Sequence, residues 1–419
     1  MTAVAAATLS ACGGAEAGGN TLTWYINPDN GTQARLAKKC SDQSGGRFQI
    51  RTAMLPTEAD AQREQLVRRL GAKDRSIDLM SLDPPFTAEF ANAGYLRAFT
   101  PAEAARLSKG VLAAPLQSAT WKGRLVAAPF WANTQLLWYR KSAVRKLGVD
   151  PTAPDFTWNR MIAAASRGGM KIGAQGGRYE GYMVWVNALV LGAGGQILTN
   201  NEAGRDAKAA IDSPAGRRAA QIIRAFATSA AADPALSTAL EEQARATFQS
   251  DRGAFMVNWP YVWAAMQEGI AKGQIRKGLL DDVGWARYPR VSMGRESRPP
   301  LGGINLAISR YGRHQDLTLA AVRCLTTPQS QKENMLGSGN PVANGLVYSD
   351  PEIVKKYPMA SLIRESINAA GPRPITPYYT DVSAAIQRSW HPPGRVDPRS
   401  TPQRSAKLIE DVLHDRVLL

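Results

Sequence analysis

The sequence predicts an α/β protein built of two lobes. Three features point to it: more apolar residue than one core holds, regular alternation of strand-like and helix-like segments from Asn20 onward, and places where the chain leaves one set of elements and returns. The 419 residues are 44% apolar, which suits two bodies of about 200 residues each.

Thr21 to Ile26 is apolar and β-rich, and Asn27-Pro28-Asp29-Asn30-Gly31 is dense turn chemistry. Thr32 to Ser44 has helical spacing at Leu36, Ala37 and Cys40, and Gly45-Gly46 stops it before a second strand, Phe48 to Leu55. A helix from about Glu58 to Leu70 follows, striped by Leu66, Val67 and Leu70, and then a third strand, Ile77 to Leu82. This order predicts a mainly parallel sheet. In open sheets of that kind ligands gather at the carboxyl ends of strands, so Asn27 and Asp29 after the first strand and Asp83 after the third are candidate ligand residues. Asp83 has an equal alternative, as the N-cap of a helix over Phe86 to Ala93.

Leu125 to Phe130 and Asn133 to Tyr139 read as two strands in close succession, a crossing between lobes. Helices over 158–165, 182–191, 214–227, 241–248 and 261–270, with a short strand over 254–257 broken by Asn258-Trp259-Pro260, make an α-rich second body. A polar linker, Arg287 to Pro300, leads back to an apolar strand, Leu301 to Ile308, and a helix, Leu317 to Leu325. From Pro341 the chain leaves again, into helices over 361–370 and 381–389. The expected division is 21–130 plus 301–340 for the first lobe and 131–300 plus 341–419 for the second. Cys40 and Cys324 then lie on helical stripes of the same lobe, and a disulfide between them is expected outside the cytoplasm.

There are 51 Lys plus Arg against 35 Asp plus Glu, a formal charge of +16. The basic residues are scattered and no nucleic-acid-binding signature accompanies them, so a solvated basic surface is the expectation and nucleic acid is not. The first twelve residues, MTAVAAATLSAC, end in Leu9-Ser10-Ala11-Cys12, which resembles a bacterial lipobox. Cys12 is the expected lipid attachment site, in a signal sequence that lacks its basic start. The plainer alternative is a disordered small-residue leader. Residues 13–20 suit a flexible tether.

The three histidines, His314, His391 and His414, have no second ligand at zinc spacing, so no metal site is expected. There is no nucleophile elbow and no phosphate loop, and Gly192-Ala193-Gly194-Gly195 is a turn rather than a dinucleotide loop. No cofactor is expected. A glycosidase needs only two well-placed carboxylates, so it stays open as an alternative. The positive signal is aromatics beside amides: Trp24-Tyr25 before Asn27, Trp131 before Asn133, Tyr182 and Trp185 before Asn187, and Trp259 after Asn258. A sugar offers an apolar face to a ring and hydroxyls to amides and carboxylates. Trp138, Trp158 and Trp263 sit on apolar stripes and are expected in the core, whereas Pro260 puts Trp259 at an element boundary.

The motif order resembles the extracellular solute-binding proteins of family one, the maltose-binding type. The resemblance is carried by Leu9 to Cys12, the strand ending near Asp83, Asn133-Thr134-Gln135-Leu136-Leu137-Trp138-Tyr139-Arg140, Asn258-Trp259-Pro260 and Gly302-Gly303-Ile304-Asn305-Leu306-Ala307. Ala321-Val322-Arg323-Cys324-Leu325 and Arg373-Pro374-Ile375-Thr376-Pro377-Tyr378 are similar to segments of the trehalose-binding lipoproteins of actinobacterial importers. The resemblance implies a two-lobe periplasmic-binding-protein-like α/β fold with a hinged interlobe cleft. It also implies a non-enzymatic receptor that binds trehalose or a related disaccharide and delivers it to the transmembrane subunits of an ABC permease. Asp83, Asn133, Glu241, Trp259 and Arg373 would line the cleft, with Asn27, Asp29 and the backbone at Gly303 contributing. Glu241 and Arg373 rest mainly on the resemblance, since one could be a solvated first-turn acid and the other a surface charge. A receptor for another glycoside or a glycerophosphodiester is the alternative within the class. The implied location is the outer face of the cytoplasmic membrane.

Overall fold

A computed structural model describes residues 20–419; the Leu9 to Cys12 motif with Cys12, and the tether up to residue 19, lie outside the described residues. Nine strands form the two main sheets: β1 (Thr21–Ile26), β2 (Gln49–Met54), β3 (Leu79–Leu82), β4 (Ala128–Thr134), β5 (Leu136–Arg140), β6 (Lys171–Gly173), β7 (Gly253–Asn258), β8 (Val283–Ala286) and β9 (Leu301–Ile308). The first sheet has the order β2-β1-β3-β9-β4 and the second β8-β5-β7-β6.

In the first sheet β1 runs parallel to β2 and β3, as β-α-β connections require. The returning β9, however, enters antiparallel between β3 and β4. The second sheet has one parallel pair, β6 with β7, and two antiparallel ones. Both sheets are therefore mixed rather than mainly parallel. Strand direction depends on how the chain re-enters a sheet, which the apolar pattern of a strand does not encode.

Only Gln135 separates β4 from β5, and those strands belong to different sheets, so the crossing is abrupt. The expected division at 130/131 falls inside β4, which stays in the first sheet through Thr134. Pro129 is accommodated there because the register with β9 shifts between Ile304 and Asn305, a bulge of the kind that tolerates a residue without an N–H.

Six helices matter for the site: α1 (Thr32–Gln43), α2 (Ala59–Gly71), α3 (Glu180–Gly192), α4 (Glu241–Gln249), α5 (Gln315–Leu325) and α6 (Tyr379–Trp390). The buried stripe of α1 is Leu36, Ala37 and Cys40, as its spacing predicts, and Cys40 is bonded to Cys324 of α5 with the Cα atoms 5.9 Å apart. Helix α3 is buried along most of its length, which follows from its almost wholly apolar sequence. Trp138 and Trp158 are fully buried, and Trp263 is 8% exposed, in keeping with their place on apolar stripes. Among the described residues, no helix is long and apolar enough to cross a membrane, and no group of three or more His, Cys, Asp or Glu side chains is placed to hold a metal ion.

Candidate functional site

The carboxyl ends of β1 and β3, the β4–β9 edge and the loops of the second sheet enclose a cleft of about 660 Å³. Asn27, Asp29, Asp83, Asn133, Glu241, Trp259, Gly303 and Arg373 all line it. Its size lies within the range of small-molecule sites.

Asp83 follows β3 and precedes the short 3₁₀ turn Pro84–Phe86, yet its side chain caps nothing. Instead its Oδ1 accepts from Arg373 Nη2 at 2.6 Å, so of the two readings of Asp83 the cap is excluded. Arg373, 5% exposed, is no surface charge. Its Nη1 donates to Glu180 Oε1 at 2.6 Å. Glu180 also accepts from the Tyr379 hydroxyl, and from Ser383 Oγ at 2.6 Å. Burial alone would work against the Arg373 charge, but Asp83, Tyr379 and Glu180 outweigh it and hold its pKa well above the ordinary value. Burial pushes the Asp83 carboxyl up; Arg373 opposes that and Glu180 adds to it.

Trp259 is fixed at its backbone, where its N–H donates to Asn258 Oδ1 at 2.8 Å, and at its ring, where Nε1 donates to Glu241 Oε1 at 3.1 Å. The Asn258 amide donates in turn to the Glu241 carbonyl at 3.2 Å, tying the start of α4 to the end of β7. Glu241 is thus not a solvated first-turn acid. Burial, with Glu242, Glu58 and Asp83 nearby, raises its pKa to about 7 against the pull of the Trp259 N–H.

Gly302 and Gly303 shape the facing wall. A Cβ at Gly302 would stand 2.4 Å from Asn133 Oδ1 and 3.0 Å from the Trp259 ring. Gly303 has φ +135°, and a Cβ there would meet the Trp131 carbonyl at 2.4 Å. Glycine at both positions lets β9 approach β4 closely while Asn133 and Trp259 face the same space. Among the described residues the buried Oδ1 atoms of Asn27 and Asn133 have no hydrogen-bond partner.

Asp29 reaches the cleft, but its carboxylate is already engaged by the start of α1: Oδ1 accepts from the Gly31 N–H at 3.0 Å and Oδ2 from the Gln33 N–H at 2.7 Å. Of the aromatic and amide pairings expected to build a site, Trp131 with Asn133 and Trp259 line the cleft. Trp24, Tyr25, Tyr182 and Trp185 are core residues, all under 7% exposed, and Asn187 donates to the Pro372 carbonyl at 3.2 Å rather than facing the cleft. Sequence reasoning missed Glu180, Tyr379 and Ser383. The one readable signal was Glu180, the single charged residue of an otherwise apolar helix.

A family model described as bacterial extracellular solute-binding protein matches residues 55–332. The chain belongs to the bacterial extracellular solute-binding protein family. A Deinococcus radiodurans protein named "Probable ABC transporter-binding protein" is 26% identical over 381 residues, 87% of this chain and 86% of that one. A Yersinia pestis protein, the sn-glycerol-3-phosphate-binding periplasmic protein, is 31% identical over 90 residues, 21% of this chain and 20% of that one. Among solved structures, maltose-bound MalE3 of T. maritima superposes with a TM-score of 0.81 at 24% identity, covering 94% of this chain and all of that one. The sugar-binding MalE of Xanthomonas citri gives 0.79 at 17%, covering 95% and 98%. These structures share the two-lobe fold of maltose-binding proteins. The family and its full-length relative are solute-binding proteins rather than enzymes, so the glycosidase alternative is set aside.

Proposed function

We propose that this solute-binding protein is the receptor of an ABC importer and closes on trehalose or a closely related disaccharide between a first lobe of 21–134 plus 301–340 and a second of 135–300 plus 341–419. In this reading Trp259 packs on the apolar face of the sugar, Asp83, Glu241 and Asn133 accept its hydroxyls, and Arg373 orients Asp83. Asn27 and the strand edge at Gly303 complete the wall. The receptor is held outside the cytoplasmic membrane by lipid on Cys12 and passes its ligand to the permease subunits. One observation carries the reading: an indole, two amides with unpaired acceptors and a carboxylate–guanidinium pair, drawn from both sheets, line one cleft of about 660 Å³.

Calorimetric titration with trehalose, maltose and sucrose, with melting curves beside it, tests the sugar. Saturation at 100 times the dissociation constant raises stability by about 2.7 kcal/mol. Binding of maltose or sucrose without trehalose would overturn the sugar assignment, and binding of none would overturn the class. Small-angle scattering should show a smaller radius of gyration with ligand, and an unchanged radius at saturation would remove the hinge.

A further inference from the structure

A chain with a formal charge of +16 has built a cleft of the opposite sign, with seven acidic side chains and one arginine along its walls. Some of those acids are spent. Asp29 caps α1, Glu242 pairs with Arg245, and Glu268 pairs with Lys272 at 2.6 Å. What is left is Glu58 and Glu241, neither of which has a cationic partner among the described residues, and Asp83 with Glu180, which share the single Arg373.

Several of the donors along the walls are already engaged by acceptors of the protein. The Tyr179 hydroxyl is committed to Gln175 at 2.5 Å, the Tyr261 hydroxyl to Glu242 at 2.6 Å, and the Trp259 N–H to Glu241. Both Nη atoms of Arg373 are committed to carboxylates. The buried side-chain atoms of the lining that have no partner among the described residues are two acceptors, Asn27 Oδ1 and Asn133 Oδ1, and one donor, Arg373 Nε.

We infer that the cleft sorts glycosides by charge, preferring an amine-bearing sugar to its neutral parent and the neutral parent to its phosphorylated form. This rests on the proposed function and names the ligand class more narrowly. An ammonium brings a positive charge and three donors, which Glu58 and Glu241, the two carboxylates without a cation, can take up. A phosphate brings acceptor oxygens and a charge of about −1.5 to −2 at neutral pH. To reach a guanidinium it must draw Arg373 from Asp83 or Glu180, leaving a buried carboxylate unpaired. The ligand named for the Yersinia relative, a phosphate ester, therefore has the wrong charge for this cleft.

Two series are titrated at pH 7.5 and low salt: trehalose, 6-amino-6-deoxytrehalose and trehalose 6-phosphate, and the corresponding three forms of maltose. In a series that binds, the amine should bind at least threefold tighter than the neutral sugar and the phosphate at least tenfold weaker. Glu58→Gln, at an exposed position, should narrow the amine-to-phosphate ratio at least threefold. If only the maltose series binds and keeps this order, the trehalose assignment fails and the charge rule stands. A phosphorylated sugar that matches or exceeds its neutral parent in either series overturns the rule whatever the sugar, as does an amine that binds no tighter than its parent. Silence from all six ligands overturns both.

Discussion

Arg373 and Asp83, 290 residues apart, meet at 2.6 Å between the loop before α6 and the end of β3. The same guanidinium holds Glu180 of α3, and α6 adds an edge contact from Tyr379 to Phe86 with ring centroids 5.7 Å apart. The ion pair thus belongs both to the wall of the cleft and to the seam between the two bodies. Arg373→Ala should cost on the order of 3–5 kcal/mol of stability, because it strips Asp83 and the buried Glu180 of the one cation that pairs with them among the described residues. Urea melts check this; an unchanged midpoint would mean that the carboxylates find another partner.

Trp259→Ala should weaken binding of the disaccharide by on the order of 2–4 kcal/mol, through lost apolar burial and lost ring contact. That is at least about a thirtyfold rise in the dissociation constant. Titration of a variant shown by melting to be folded decides it, and an unaltered affinity would move the sugar elsewhere.

Asp83→Ala should cost on the order of 1.5–3 kcal/mol of binding, since a charged acceptor is lost and a ligand hydroxyl is left unpaired. Asp83→Asn keeps the shape and isolates the charge. If both variants bind like the parent, Asp83 serves only Arg373.

The pKa of Glu241, about 7 in the fold against an ordinary 4.5, gives a pH dependence with a definite sign. Between those values the folded state holds the proton that the unfolded chain has released. Glu241 therefore makes the ligand-free protein less stable as pH rises through that window. Comparing melting temperatures from pH 4.5 to 7.5 for the parent and Glu241→Gln should show a steeper alkaline decline in the parent. Parallel profiles would refute the assignment. Because an ionised Glu241 is the better acceptor, affinity for a neutral sugar should rise over the same range.

Cys324→Ser should lower stability by about 2–5 kcal/mol, as loss of a native cross-link commonly does. Digestion of unreduced protein should release one peptide pair joining Cys40 to Cys324, and free thiols at both positions would contradict the bond.

Much of this was legible in the sequence wherever function sits at the end of a strand. Asp83 and Trp259 each stand just past such an end, where turn residues begin, whereas Asn133, inside β4, was marked by its neighbour Trp131; all three line the cleft. Glu241 and Arg373 rested on motif similarity, because nothing local distinguishes a first-turn glutamate or an arginine between prolines from surface charge. Trp24 misled because β1 is covered on both faces, so its side chains are buried whichever way they point. Tyr379 and Ser383 were hidden for a different reason: they act through Glu180 from a helix some 200 positions away, a pairing that only the folded chain creates. The strands β6 and β8 were too short to signal themselves.

The bond between α1 and α5 spans 284 positions, and β5, β6, β7 and β8, the entire second sheet, lie on the stretch it encloses. Topologically the second sheet is a bead threaded on a closed ring whose clasp sits beside the first. A protease that cuts once anywhere between the two cysteines opens the ring without dividing the molecule, since both fragments remain on one covalent skeleton. The damaged receptor would keep its full mass until the clasp is reduced.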